Sequence, residues 1–450
     1  MPVDNVLRKQ VFKVLFISLL LDLISFTFIL PLFPSLLSFY RAQDSSSNSL
    51  LNRILHYLNA YKNSFAHPID SHYDIVLLGG ALGSLFSLLQ AIVAPIIGYL
   101  SDRYGRRRIL LTAMFGNILS VALWVSATDF RTFLASRVVG GLSEANVQLA
   151  NSIVADITDE SSRSASMALV GACFSIAFTF GPMLGAALSS VEIVTANPFI
   201  TAALVSFVLV FLETVYLWAY LPETHPRLTT LKRVDEAKGL SGKKPATKTK
   251  SGTPTIPSRS TNNPAIISTI YFFFLLPFSG LEFSLPFLVA TLQTGPMKMS
   301  PAALNGRLLS LIGLTSSILQ GTAVRKLPPL LMVRLGIITC ALSFFSLAHI
   351  SSFSGLYVVS GLLAITSATV VTGLNGLCSL EADDTDRGAV MGRLRGWGQA
   401  GRATGPIVFC TFFWWAGRPV SYTIGGLAMC MVALGSLILL KSPSLHVKTK

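Results

Sequence analysis

The chain has 450 residues, of which 52% are hydrophobic and only 12% charged, with a formal net charge of +14. With a mean hydropathy of +0.62 it carries about half the charge of a typical soluble domain, which excludes an ordinary water-soluble enzyme. The basic excess gathers at Arg8, Lys9 and Lys13, at Arg103, Arg106, Arg107 and Arg108, in 225–260 and at the C-terminal residues, so membrane orientation accounts for it and no nucleic-acid partner is expected.

Apolar runs long enough to cross a bilayer as helices recur at 11–39, 75–100, 109–128, 131–154, 164–189, 198–221, 265–293, 302–323, 331–350, 354–379, 388–415 and 419–441. Twelve spans place every basic cluster on one side, which the positive-inside rule makes cytoplasmic, together with both termini. The first run is too long for a signal-peptide core and has no small-residue cleavage site after it, so it reads as a span.

Within that first span Asp22 is an acid at membrane depth. An ionisable side chain there costs about 2.5–3.5 kcal/mol or more, so it faces a cavity or a partner. The outer loop 40–74 follows. Its Leu51, Ile54, Leu55, Leu58, Tyr61 and Phe65 fall on one helical face, which predicts a short amphipathic helix resting on the membrane or capping an outer vestibule. The spacing of His56, His67 and His72 matches no metal motif, and the five cysteines lie within spans without metal or disulfide spacing. No metal and no cofactor are expected.

The second span ends in Gly98, Tyr99, Leu100, Ser101, Asp102, Arg103, Tyr104, Gly105 and Arg106 to Arg108. The glycines permit a tight turn and close helix contact, and Asp102 suits the positive end of a neighbouring helix. This loop resembles the signature GxLxDRxGRR of the major facilitator superfamily. The resemblance implies that Asp102 meets the start of the eleventh span near Gly388, that Arg106 pairs with Asp156, and that these contacts latch an outward-open state. Arg137 with Gly141 in the fourth span resembles the RxxxG motif. Gly181, Pro182 and Gly185 in the fifth resemble GPxxG, without its second terminal glycine, and 221–224 (LPET) closes the sixth span as is common there. Leu21-Asp22 with Leu30, Pro31 and Pro34 resembles the drug:proton antiporter branch. The stretches SGLEFSLPFL, SLIGLTSSILQG and AVMGRLRGWGQAGRATGP are similar to its animal tetracycline transporter-like members, which implies organic anions as cargo.

Arg137, Glu144 and Asn151 share a face by seven-residue spacing. A carboxyl held in an apolar cavity can load and release protons. The resemblance to the drug:proton antiporter branch implies Asp22 and Glu144 as candidate proton sites, with Arg137 tuning them, and structural pairing of Arg137 with either acid is the alternative. After the sixth span, 222–263 is rich in Lys, Ser, Thr, Pro and Gly and reads as a disordered basic linker, a solvated tether or a contact for anionic lipid. It divides the chain into an N-terminal six-helix bundle, 1–221, and a C-terminal one, 264–450.

In the seventh span Glu282 stands between Pro277 and Pro286, which marks a bent helix beside a cavity. In the eleventh, Arg395, Gln399 and Arg402 line one face. A guanidinium fork holds carboxylates and sulfonates by paired charge-assisted bonds, so Arg402 with Arg395 is the candidate anion receptor. An internal ion pair of Arg402 with Glu282 or Glu213 is the alternative. Trp397 either lines the pathway and stacks on a planar substrate, or makes lipid or packing contact.

Residues 163–182 and 387–406 repeat one another without a gap, 224 positions apart: Arg163 falls on Arg387, Met167 on Met391, and Gly181-Pro182 on Gly405-Pro406. Such a repeat predicts two similar bundles facing each other across a path. The second half carries at most a remnant of the signature loop at Gln320 to Lys326, so any latch should be lopsided.

Together these features predict an all-α membrane protein of twelve transmembrane helices in two six-helix bundles, the major facilitator fold. It has no phosphate-binding loop and no soluble domain, and reads as a transporter rather than an enzyme. The function implied is secondary active or facilitative transport of small organic anions by alternating access, as a monomer in the plasma membrane or else an endomembrane, with proton coupling open. One alternative is proton-coupled export of cationic or neutral drugs through Asp22 and Glu144. Another is a non-transporting receptor or scaffold.

Overall fold

The computed structural model describes residues 5–43, 49–65, 74–189, 199–226, 228–229, 261–292 and 301–443. The basic stretch 230–260 of the predicted linker, and His67 and His72 of the outer loop, lie outside the described residues. The described helices are α1 (Asn5–Thr27), α2 (Ile29–Gln43), α3 (Leu50–Lys62), α4 (Asp74–Tyr104), α5 (Arg106–Val125), α6 (Phe130–Ser143), α7 (Asn146–Ile157), α8 (Glu160–Ser189), α9 (Ile200–Tyr220), α10 (Pro264–Leu292), α11 (Pro301–Gly321), α12 (Pro329–His349), α13 (Phe353–Glu381), α14 (Arg387–Ala416) and α15 (Arg418–Leu439).

Nine spans among the described residues are long and apolar enough to cross a membrane unaided. The remaining predicted spans have physical reasons to fall short. The fourth is two pieces, α6 and α7, because Glu144 takes ψ 100° and Ala145 φ −131°, both outside the helix. The eighth, α11, carries Arg307 and Gln320, and the eleventh, α14, carries four arginines. The first span continues through α1 and α2, where Phe28 N–H still donates to Ile24 at 3.2 Å.

Helix starts follow local chemistry. Ser49 caps α3 by accepting from Asn52 N–H at 3.1 Å, Asp129 caps α6, and Ser352 caps α13. Pro329 opens α12, where its missing N–H costs nothing. Two apolar cores of the first half centre on α1, α5, α7 and α8 at one end and on α2, α4, α6 and α9 at the other. A third core fills the second half, around α10, α12, α13, α14 and α15. Across the halves α4 runs against α14, and α8 against α11 and α13.

The start of α1, the α4–α5 turn, the end of α9 and the end of α15 share one basic face, tied by contacts such as Arg8 to Asp159 at 3.3 Å. On the far face α3 crosses between the halves. Its Leu51 and Leu55 join the first-half core, and Tyr61 and Phe65 the second-half core. The amphipathic helix expected in the outer loop is present and covers protein from both halves.

Candidate functional site

The basic face is closed by an ionic knot. Asp102, in the last turn of α4, accepts from the N–H groups of Gly388 and Ala389 at 2.8 and 2.7 Å, in the first turn of α14. Those N–H groups have no partner within their own helix, and the helix dipole favours a negative charge there. Arg106, fully buried, donates Nη1 to Asp102 at 2.7 Å and to Ser101 at 2.6 Å, and Nε to Asp156 at 2.9 Å. Arg387 reaches the other oxygen of Asp156 at 2.6 Å.

The glycines serve close approach. Gly105 holds φ +101°, a left-handed conformation that favours glycine, and a Cβ on Gly98 would strike the Gly388 carbonyl. The contacts implied for Gly98, Asp102, Gly105, Arg106 and Asp156 are all present. Sequence reading missed three neighbours. Glu223 accepts from the Arg106 and Arg107 N–H groups at 2.9 and 3.2 Å and so caps α5. His225 is fully buried beside it, with neither ring nitrogen hydrogen-bonded. Burial first, and the Arg106 guanidinium second, hold this imidazole below its usual range. Arg163 donates to the Ser379 carbonyl at 2.9 Å. The repeat held the signal for that contact: Arg163 of the first half grips the end of α13, as Arg387 of the second grips the end of α7.

Deeper in, acids of the first half meet bases of the second. Asp22 on α1 is 4% exposed, with Oδ2 unbonded. The Asn146 amide lies beside it, itself 2% exposed and without a hydrogen bond. Glu144, in the unwound link between α6 and α7, lies near the Asn117 side chain, Asp22 and Arg395 of α14. Arg395 also meets the Tyr271 hydroxyl, and the Gln399 amide oxygen, in the orientation that satisfies its hydrogen bonds, accepts from Arg395 Nε and Nη2 at 3.2 and 2.9 Å.

One turn or two further along, Arg402 Nη2 stands 3.6 Å from Glu282 Oε2, and the two side chains keep 40% and 41% of their surface open. Arg402 is fifteen residues into α14, so it lies about 22 Å from the basic face. A charge at that depth needs a cavity or a partner, and Glu282 is a partner here, the internal ion pair that the sequence offered as the alternative.

Two expected neighbours lie elsewhere. Arg137 does not share a face with Glu144, because α6 ends at Ser143 and the seven-residue period stops there. Its guanidinium lies over the rings of Trp124 and Phe133, at 5.7 and 5.6 Å, and donates to Ser136 Oγ at 3.2 Å. Trp397 is rotated about 160° from Arg395 and about 140° from Arg402 around α14, so it is not on their face. It meets Phe272 edge-on at 5.8 Å and is half exposed, as is Phe273. Gly181 and Gly185 of α8 lie against Thr27 and Phe28, at the junction of α1 and α2, and Pro182 sits inside α8. Glu213, considered in sequence as a partner for Arg402, instead adjoins Ser18, Asp22 and Glu144.

The sequence profile of the Major Facilitator Superfamily matches residues 15–406. Major facilitator superfamily domain-containing protein 10 of Mus musculus is 35% identical over 430 residues, 93% of this chain and 90% of that one. The class B tetracycline resistance protein of Escherichia coli is 25% identical over 441 residues, 96% of each chain. A crystal structure of the human organic anion transporter MFSD10 (TETRAN) superposes with a TM-score of 0.80 at 29% identity, covering 95% of this chain and 99% of that one.

Proposed function

The chain belongs to the major facilitator superfamily, and from that premise we propose that this transporter carries small organic anions, with Arg402 and Arg395 as receptors and alternating access as the mechanism. The observation that carries the reading is Arg402. Its guanidinium stands at bilayer depth with 40% of the side chain's surface open, and its ion pair with Glu282, at 3.6 Å, is too long for a hydrogen bond. Most of its fork of donors therefore remains for a carboxylate or sulfonate. Arg395 lies one helical face-repeat closer to the basic side, so an amphipathic acid entering the cavity meets two positive charges in succession. The solved neighbour's description as an organic anion transporter supports the same cargo class.

Coupling follows from Glu144. Arg395 is its basic neighbour across the halves. An anion that engages Arg395 weakens that attraction and favours a proton on Glu144, with Asp22 as the adjacent acceptor. Substrate and proton then load together. In this reading the basic face is cytoplasmic, as the positive-inside rule requires, and the protein works as a monomer in the plasma membrane.

The test is uptake of a labelled acidic drug into liposomes holding the purified protein, with and without a pH gradient. Saturable, gradient-driven uptake that falls to background in Arg402→Ala, with Arg402→Lys about tenfold weaker in KM, is expected. Loss in Arg402→Ala without pH dependence would leave a facilitator and remove the coupling. Wild-type uptake no greater than in empty liposomes, or full uptake in Arg402→Ala at equal protein level, would overturn the anion reading. A cationic drug taken up in its place would turn the site toward export of cations.

A further inference from the structure

Glu213 takes no part in the anion path, yet its setting is the most demanding of any acid described. It stands on α9 with no exposed surface, and neither carboxyl oxygen is hydrogen-bonded. No lysine or arginine among the described residues pairs with it, and the charged groups that act on it, Asp22 and Glu144, are both acids. A carboxylate placed there would be an isolated buried charge beside two like charges, which a protein avoids by neutralising the group.

A second, independent observation points to a ligand at the same cluster. Asn146 is 2% exposed and its amide faces Asp22, yet neither its amide nitrogen nor its amide oxygen makes a hydrogen bond of ordinary geometry. A buried amide and a buried acid without partners are rare in a folded chain and mark a place where something binds. Among the described residues, no three acidic, histidine or cysteine side chains gather as a metal requires. The ligand that a fully buried carboxyl without a basic partner takes is a proton.

We propose that Glu213 is a further proton-binding site, protonated in this conformation, and that it exchanges its proton with Asp22 past Ser18. Ser18 lies one turn from Asp22 on α1, and its hydroxyl faces Glu213. In the exchange an O–H bond on Glu213 breaks as one on Asp22 forms, and the negative charge passes the other way, so the pair's net charge is unchanged. Among the described residues, no acid besides Asp22 and Glu144 acts on Glu213. From α5, Asn117 is neutral and Arg107 lies at the basic end, donating to the Trp218 carbonyl at 2.6 Å; from α8, Cys173 directs its thiol to the Phe16 and Leu169 carbonyls. Asp22, Glu144 and Glu213 thus form a store of protons running from the cavity into the α1–α9 interface.

The site rests on the proton-coupled reading for its use in transport but not for its existence, so the two are measured separately. Infrared spectra of the purified protein are taken across pH, without substrate, in light and heavy water. The carbonyl stretch of a protonated carboxylic acid is expected at neutral pH, shifted in heavy water and lost in Glu213→Gln. A wild-type spectrum without that band, or a band unchanged in Glu213→Gln, would overturn the proposal. Should Glu213→Gln fold poorly, Glu213→Asp keeps the acid and must move the same band. Exchange with Asp22 predicts that Asp22→Asn displaces the pH midpoint of the band, and an unmoved midpoint would refute it. In liposomes Glu213→Gln is expected to blunt the response of uptake to a pH gradient severalfold with KM for the anion unchanged. Failure of anion transport alone would leave the infrared result standing.

Discussion

His225 shows how much a single buried residue can reveal that its sequence position does not. It follows the 221–224 turn directly, and nothing in its spacing marks it, yet it is sealed under the α4–α5 turn beside Arg106 with both nitrogens unbonded. Its folded-state affinity for a proton is lowered, so the sign of the pH effect is fixed. The unfolded chain takes up a proton near the ordinary imidazole value of about 6.5, whereas the folded chain does so only at lower pH. Its contribution to stability is therefore complete above that value and declines as pH falls below it. Thermal unfolding in detergent at pH 7.5 and 5.5 should show a smaller loss of Tm for His225→Gln than for wild type, and parallel losses would contradict this. Arg402 and Glu282 are legible in sequence for the opposite reason, since a charge in an apolar run must find a cavity or a partner. Arg137 and Trp397 read less well. The first depends on where a helix breaks, the second on a rotation that only a face count against Arg395 and Arg402 exposes.

At the scale of elements, hydropathy locates the spans and an apolar face locates α3, but neither says which helices α3 touches. Tyr61 Oη lies 3.0 Å from Thr411 Oγ1 on α14, while Lys62 Nζ pairs with Asp74 Oδ1 at 2.7 Å at the start of α4. The lysine and aspartate side chains are about nine-tenths buried, so the pair anchors α3 to the first half while Tyr61 reaches the second. An element fixed to both halves on the far face resists their separation there. Alternating access needs that separation, so the contact to α14 has to break in each cycle. A disulfide between Tyr61→Cys and Thr411→Cys should therefore reduce uptake to near background and reductant should restore it. Full uptake by the cross-linked protein would show that the far face opens without moving α3. The break between α6 and α7 is likewise invisible to composition, because Glu144 and Ala145 are ordinary helix formers. Their unwinding reflects the buried polar groups around them rather than local propensity.

Across the whole molecule the internal repeat was the most informative feature of the chain, and the structure gives it a mechanical form. Arg163 and Arg387, 224 positions apart, each leave their own half and grip the other, at the ends of α13 and α7. The two grips are unequal. Arg387 finds the carboxylate of Asp156, already bound to Arg106, whereas Arg163 finds the Ser379 carbonyl. Hydrogen bonds to charged groups contribute about 1.5–3 kcal/mol and neutral ones about 1 kcal/mol, so most of the closing force on the basic face resides in the first-half acids, Asp102 and Asp156. The asymmetry follows from the second half lacking a full signature loop, which the sequence does show. Amide hydrogen exchange in the first turn of α14 reads the knot directly, because Gly388 and Ala389 donate to Asp102. Asp102→Asn loses the charge and turns one amide hydrogen-bond donor toward donors, so exchange at these two amides should quicken about tenfold or more. Asp156→Asn should quicken it less, by freeing Arg106 and Arg387 while leaving the Asp102 cap in place. Arg163→Ala should have the smallest effect of the three. If Arg163→Ala instead matched Asp156→Asn, the two grips would carry equal load, and the basic face would open as a symmetric clasp rather than hinge on one half.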